Sequence, residues 1–213
     1  MPTANKKLVK FNVQNPQYAL AAPGGAWGTP KPLGDARKMA LESDTNTKKI
    51  YGNGRVVCVI VNDKGKTATL TVNTVPDGYE IDMGRKLRTA NGLADIKQTV
   101  SRVHCVYFET CEISKDDGDA DVKTTVAKTW LYNAVSKRPS ESYEQTEDDT
   151  SESTFDVAFE VSGLPVLNAD GTAYKQNGVE VYAWQTTVTP EDDGYDTFGD
   201  AVRLPILPAP QGE

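Results

Sequence analysis

A chain of 213 residues can bury a sizeable core, as one large all-β domain or two small ones, and its formal charge of −7 argues against ordinary nucleic-acid affinity. No run approaches the ~20 apolar residues that a membrane helix needs, and three cysteines are an odd number for a disulfide scaffold. The opening MPTANKKLVKFNVQ has basic residues but no apolar stretch, so it does not read as a secretory signal, and synthesis is expected inside the cell.

In chain order, residues 8–13 and 17–21 read as strands on either side of an Asn-Pro break. Residues 22–35 then hold Pro23, Gly24, Gly25, Gly28, Pro30, Pro32 and Gly34, too many breakers for regular structure. This segment predicts an extended arm or loop over residues 22–49, within which residues 36–42 suit either a strand or a turn of helix. Residues 55–61 (RVVCVIV) are a continuous β-branched run, which predicts a core strand covered on both faces. A turn signal at residues 62–65 and the alternating TATLTVNTV predict that this run forms a hairpin with residues 67–75.

Pro76-Asp77-Gly78 opens the one helix candidate, with Tyr79, Met83 and Leu87 on a single face and Asn91-Gly92 as its stop. Strands follow at residues 103–113, 122–135, 153–161, 172–174, 179–188 and 202–206, with a tight turn at Asp170-Gly171. The composition predicts a mainly β chain: one domain over residues 1–213, a β-sandwich or barrel of about eight to nine strands with one flanking α-helix and long extended arms or loops. An acidic loop at residues 139–153 and a proline-rich flexible tail at residues 207–213 complete it. Residues 22–49, 116–121, 139–153 and 207–213 are expected to be disordered before any assembly.

Little in the chain suggests chemistry. His104 is the single histidine, and it points away from the strand face shared by Val103, Cys105, Tyr107, Cys111 and Ile113. Cys105 and Cys111 lie about 20 Å apart along a strand, too far to share a zinc ion, so they and Cys58 read as small buried hydrophobes. Asp117, Asp119 and Asp121 have the alternate spacing of a calcium loop, but Val122 stands where Gly is needed and Lys128 where the bidentate Glu is needed. Gly52-Asn53-Gly54 reads as a turn and not a phosphate cradle. No catalytic, metal or cofactor-binding residue is assigned.

Charge is distributed unevenly. Residues 1–103 hold 16 basic and 8 acidic side chains, whereas residues 104–213 hold 7 basic and 22 acidic. The two halves either neutralise each other within one fold or meet head-to-tail between copies, an arrangement that makes rings and filaments.

The order of certain blocks resembles a known family. VKFNVQNPQYAL, the Gly/Pro segment ending GTPKPLGDARKMALES, IYGNGRVVCVIV, TATLTVNTVPDGYEIDMGRKL and VAKTWLYNAVSKRPSESYEQTEDDTSESTFDVAFEVSG follow one another over residues 8–163. In that order and spacing they are similar to the major tail tube proteins of long, non-contractile-tailed (siphovirus-type) bacteriophages. The resemblance implies a β-sandwich with a flanking helix, self-assembled into six-membered (hexameric) rings that stack into a hollow tube of the virion tail. DNA would pass through the tube without specific binding. It also implies tape measure, tail terminator and distal tail proteins as partners, assembly in the host bacterial cytoplasm, and no enzymatic activity. For subunit contacts the charge split predicts Arg37, Lys38, Lys48 and Lys49 of one copy meeting Asp116, Asp117, Asp119 and Asp121 of the next. The alternative is a secreted immunoglobulin-like β-domain that binds carbohydrate or a cell surface. Against it stand the opening sequence and the wide scatter of Trp27, Trp130 and Trp184.

Overall fold

A computed structural model describes residues 7–98, 100–115, 123–140 and 153–208. The strands are β1 (Lys7–Leu20), β2 (Lys31–Pro32), β3 (Ala36–Gly52) and β4 (Arg55–Val72). A six-residue helix α1 (Asp77–Asp82) precedes β5 (Lys86–Thr89), β6 (Gly92–Asp95), β7 (Val103–Lys115), β8 (Lys123–Ser136) and β9 (Phe155–Val161). A C-terminal lobe adds β10 (Leu164–Pro165), β11 (Lys175–Gln176), β12 (Val179–Glu180), β13 (Tyr182–Ala183) and β14 (Gln185–Val188). The fold is mainly β, as the composition predicts.

One eight-stranded antiparallel sheet carries the molecule, in the order β2-β1-β7-β8-β9-β4-β3. The second edge of β8 is divided: β14 takes residues 128–131 and β9 takes residues 134–136. The sheet curls until β3 lies beside β1. Strands β7 and β8 are covered on both sides, as period-two alternation requires. Val106, Phe108 and Leu131 face a core with Tyr18, Leu70, Tyr79 and Phe159. Cys105, Tyr107, Trp130 and Tyr132 face a second core with Val188 and Phe198.

The C-terminal lobe is the cover of that second core. Trp130 Nε1 donates to the Phe198 carbonyl at 2.8 Å, Tyr132 Oη to that of Arg203 at 2.6 Å, and Tyr195 Oη to that of Val126 at 2.8 Å. Large aromatics bury much area only if their polar ends find such acceptors. The sequence offered no role for residues 164–213; the lobe supplies the acceptors for Trp130 and Tyr132, and its own Tyr195 donates to β8.

Several elements differ from the sequence expectations. The Asn-Pro break does not divide β1, because Asn12 and Asn15 take positive φ (49° and 52°) and absorb two irregularities in its pairing with β7. Residues 36–49, expected within an extended arm, are most of β3. The turn expected at residues 62–65 is a bulge inside the single strand β4, and the chain reverses at Asn53-Gly54 instead. The helix stops at Met83, because Gly84 takes φ +70°. Tyr79 and Met83 are buried as expected, but Leu87 belongs to the β5–β6 hairpin and is exposed. In the C-terminal region, residues 179–188 form three short strands, and residues 172–174 and 202–206 contribute single bridges. Of the charged segments, residues 116–121 and 141–152 lie outside the described residues.

Gly65 sits where β3 and β4 leave the body of the sheet. Its φ is +131°, and a Cβ there would lie 2.8 Å from the Val161 carbonyl oxygen. Gly65→Val should therefore strain the backbone and press on β9, at a cost of about 1–3 kcal/mol. Thermal unfolding measures this, and an unchanged midpoint would contradict the close approach.

Candidate assembly surface

Beyond Gly65 the hairpin of β3 and β4 leaves the body behind. β9 pairs with β4 at residues 66–72, so over residues 55–65 the outer edge of β4 has no strand partner among the described residues. The same holds for the outer edge of β3, whose pairing is with β4. About nine residue pairs at ~3.3 Å each make an arm roughly 30 Å long.

Register assigns its faces. Ile50 lies opposite Cys58 and Lys48 opposite Ile60 on one face, while Lys49 opposes Val59 and Thr47 opposes Val61 on the other. Both faces thus carry apolar β4 side chains, with Lys48 and Ile50 of β3 beside them on one face and Thr47 and Lys49 on the other. All are exposed: Tyr51 66%, Val57 67% and Val61 64%. This overturns the reading of residues 55–61 as core and of Cys58 as a buried hydrophobe. The β-branched run does form a strand, but nothing among the described residues covers it. A two-stranded ribbon is marginal alone, and open edges with exposed apolar faces invite pairing with another chain.

The expected basic contact patch is divided. Lys48 and Lys49 lie on the arm. Arg37 and Lys38 lie at the start of β3 within the body of the sheet, about ten residues back along the strand, roughly 30 Å away. There they line a groove of about 440 Å³ between β1 and β3, with Phe11, Val13, Met39 and Phe108 as its apolar part. Arg37 bonds Asn73, and Lys10 at the rim pairs with Glu112 at 2.7 Å. The expected acidic counterpart, Asp116, Asp117, Asp119 and Asp121, lies outside the described residues. Sequence reasoning missed the apolar part of this surface, β4 from Val56 to Val61, because it had assigned those residues to the core.

The buried polar groups are structural. His104 Nδ1 lies 3.1 Å from the Arg102 carbonyl, which can only accept, so Nδ1 carries the proton of the neutral ring. Its Nε2 faces the Tyr79 hydroxyl at 3.2 Å, and that hydroxyl lies 2.7 Å from Ser136 Oγ. Burial is the main cause that pushes the His104 pKa down to about 4. Burial likewise pushes the Cys105 thiol up to about 12, so it stays protonated at neutral pH. Among the described residues no group of three or more His, Cys, Asp or Glu side chains could hold a metal ion.

A pH dependence follows from His104. A histidine kept neutral by folding contributes stability that is complete above its unfolded pKa near 6.5. That contribution is lost as pH falls from 6.5 to about 4. The full span corresponds to about 3 kcal/mol. Denaturant unfolding at pH 7 and pH 4.5 should show a smaller loss for His104→Gln than for wild type; equal losses would contradict this assignment.

No protein-family model matches the chain, and no curated protein matches it.

Proposed function

We propose that this protein is a structural subunit that assembles with copies of itself, and more specifically a tail tube subunit. In this reading its six-membered rings stack into the hollow tail of a long-tailed bacteriophage, and DNA passes through the lumen. The observation that carries the self-association is the arm: a long ribbon with open edges and apolar side chains exposed on both faces. Exposure on that scale is costly for a monomer and is characteristic of a surface covered by a partner.

Charge supports the same reading. Lys31–Asp82, Arg85–Glu80 and Lys86–Asp77 pair within the first half of the chain, and Lys137–Glu160 and Lys175–Glu180 within the second. Lys10–Glu112 and Arg138–Asp95 join the halves. Among the described residues more of the pairs lie within a half than between halves, which leaves the excess of each sign available for contacts between copies. A predominantly acidic chain also suits a channel whose walls must not hold phosphates. The resemblance over residues 8–163 supplies the specific identity.

Sedimentation velocity over a rising concentration series tests the self-association. Species many times the 23.2 kDa subunit mass are expected, growing with concentration. A single monomer species throughout would contradict it.

A further inference from the structure

Self-assembly needs a second surface to receive the arm, and the charge of the arm selects it. Residues 45–62 hold Lys48, Lys49 and Arg55 and no carboxylate. Arm against arm would bring six cations together. The groove between β1 and β3 is lined by Phe11, Val13, Met39 and Phe108, but also by Lys10, Arg37 and Lys38. Leu87, Ile96 and Val100 are also exposed, yet Arg88, Lys97 and Arg102 stand near them in sequence.

The C-terminal lobe differs. Residues 164–208 hold seven acidic and two basic side chains. The lobe also exposes large apolar residues: Val179 is 69% exposed and Ile206 55%, and Tyr182 and Leu204 are open as well. All belong to segments built on residues 165–167. Pro165 pairs with Tyr182, and Val166 donates to the Val181 carbonyl at 2.8 Å. Leu167 bridges to Ile206. Exposed apolar residues on a lobe with an excess of carboxylates fit a ribbon whose apolar β4 side chains lie across from Lys48 and Lys49 of β3.

We propose that the arm of one copy docks on the C-terminal lobe of a neighbouring copy. Apolar residues of β4 then cover Val179, Tyr182, Leu204 and Ile206, and Lys48, Lys49 and Arg55 lie among the lobe's carboxylates. This rests on the self-assembly reading and specifies its contact. Arm and lobe are different surfaces, so the contact is heterologous. Each copy gives one and receives one, and the result closes into a ring or continues as a polymer. The lobe thereby has two roles, since its inner side already seals the core around Trp130.

Two variants test it. Cys58→Asp with Val59→Asp damages both faces of the arm, and Val179→Asp with Ile206→Asp damages the lobe. All four positions are exposed, and circular dichroism checks that each variant folds; Tyr182→Asp is the substitute if the lobe pair does not. At a concentration where wild type assembles, each variant alone should fail, with the threshold for assembly raised at least tenfold. Mixed together, a tagged arm variant should retain the untagged lobe variant, because one keeps a sound lobe and the other a sound arm. A lobe variant that assembles like wild type would overturn the inference and leave self-assembly standing. Two variants that both fail alone and do not bind each other would also overturn it. Wild-type protein that never assembles would overturn both.

Discussion

Arg85→Ala is expected to destabilise the subunit by about 3–5 kcal/mol, a large part of the ~5–15 kcal/mol that holds an ordinary domain together. Arg85 is completely buried, and Glu80 is nearly so. The guanidinium Nη2 lies 3.0 Å from Glu80 Oε1, although out of line for a hydrogen bond, and Nη1 donates to the Lys137 carbonyl at 2.6 Å. The same group stacks over the Tyr79 ring, 5.2 Å from its centre. It therefore ties α1 and β5 to the end of β8. Burial pulls the Glu80 pKa up while Arg85 holds it down. Without the cation the carboxyl group keeps its burial but loses the charge that opposes it most, with only Lys86 and Arg138 still favouring the anion, and it must protonate or draw water inward. Urea unfolding should show the midpoint falling sharply, with Glu80→Ala in the Arg85→Ala background recovering part of the loss. An unchanged midpoint would show that the pair is not the tie described.

Cys58→Asp together with Val59→Asp is expected to leave the thermal midpoint of the isolated subunit unchanged and to raise the threshold for assembly roughly a hundredfold. That figure corresponds to two contacts of about 1.4 kcal/mol each. From the sequence alone the opposite follows: a carboxylate in a strand covered on both faces costs several kcal/mol. The register places the two substitutions on opposite faces of the arm, and both positions are exposed. A large fall in midpoint would return this strand to the interior of the subunit. Wild-type assembly by a folded variant would remove the arm from the interface.

The contrast between these two sites shows what sequence patterns carry. Alternation in β7 and β8 was legible because both of their faces are buried within one chain, and Tyr107, Trp130 and Tyr132 face one core while Val106, Phe108 and Leu131 face the other. The run RVVCVIV has the same signature, but periodicity reports that a strand is to be covered and not by which molecule. Gly84 and Asn91-Gly92 were both visible as punctuation. What remained hidden was that the first ends the helix and the second turns a hairpin, since either reading satisfies local propensity. Arg85 gave no signal, because a buried arginine reads as a surface residue until its carboxylate partner is placed beside it. The candidate site was legible only in part. Basic character along β3 was evident, but the roughly 30 Å that separates Arg37 and Lys38 from Lys48 and Lys49 depends on residues 36–52 being one strand.

Electron microscopy of concentrated wild-type protein tests the central claim most directly. The account predicts rings or hollow tubes with a regular axial repeat, lost in the Cys58→Asp, Val59→Asp variant. Dispersed single particles of subunit size at every concentration, with the fold verified by circular dichroism, would contradict it.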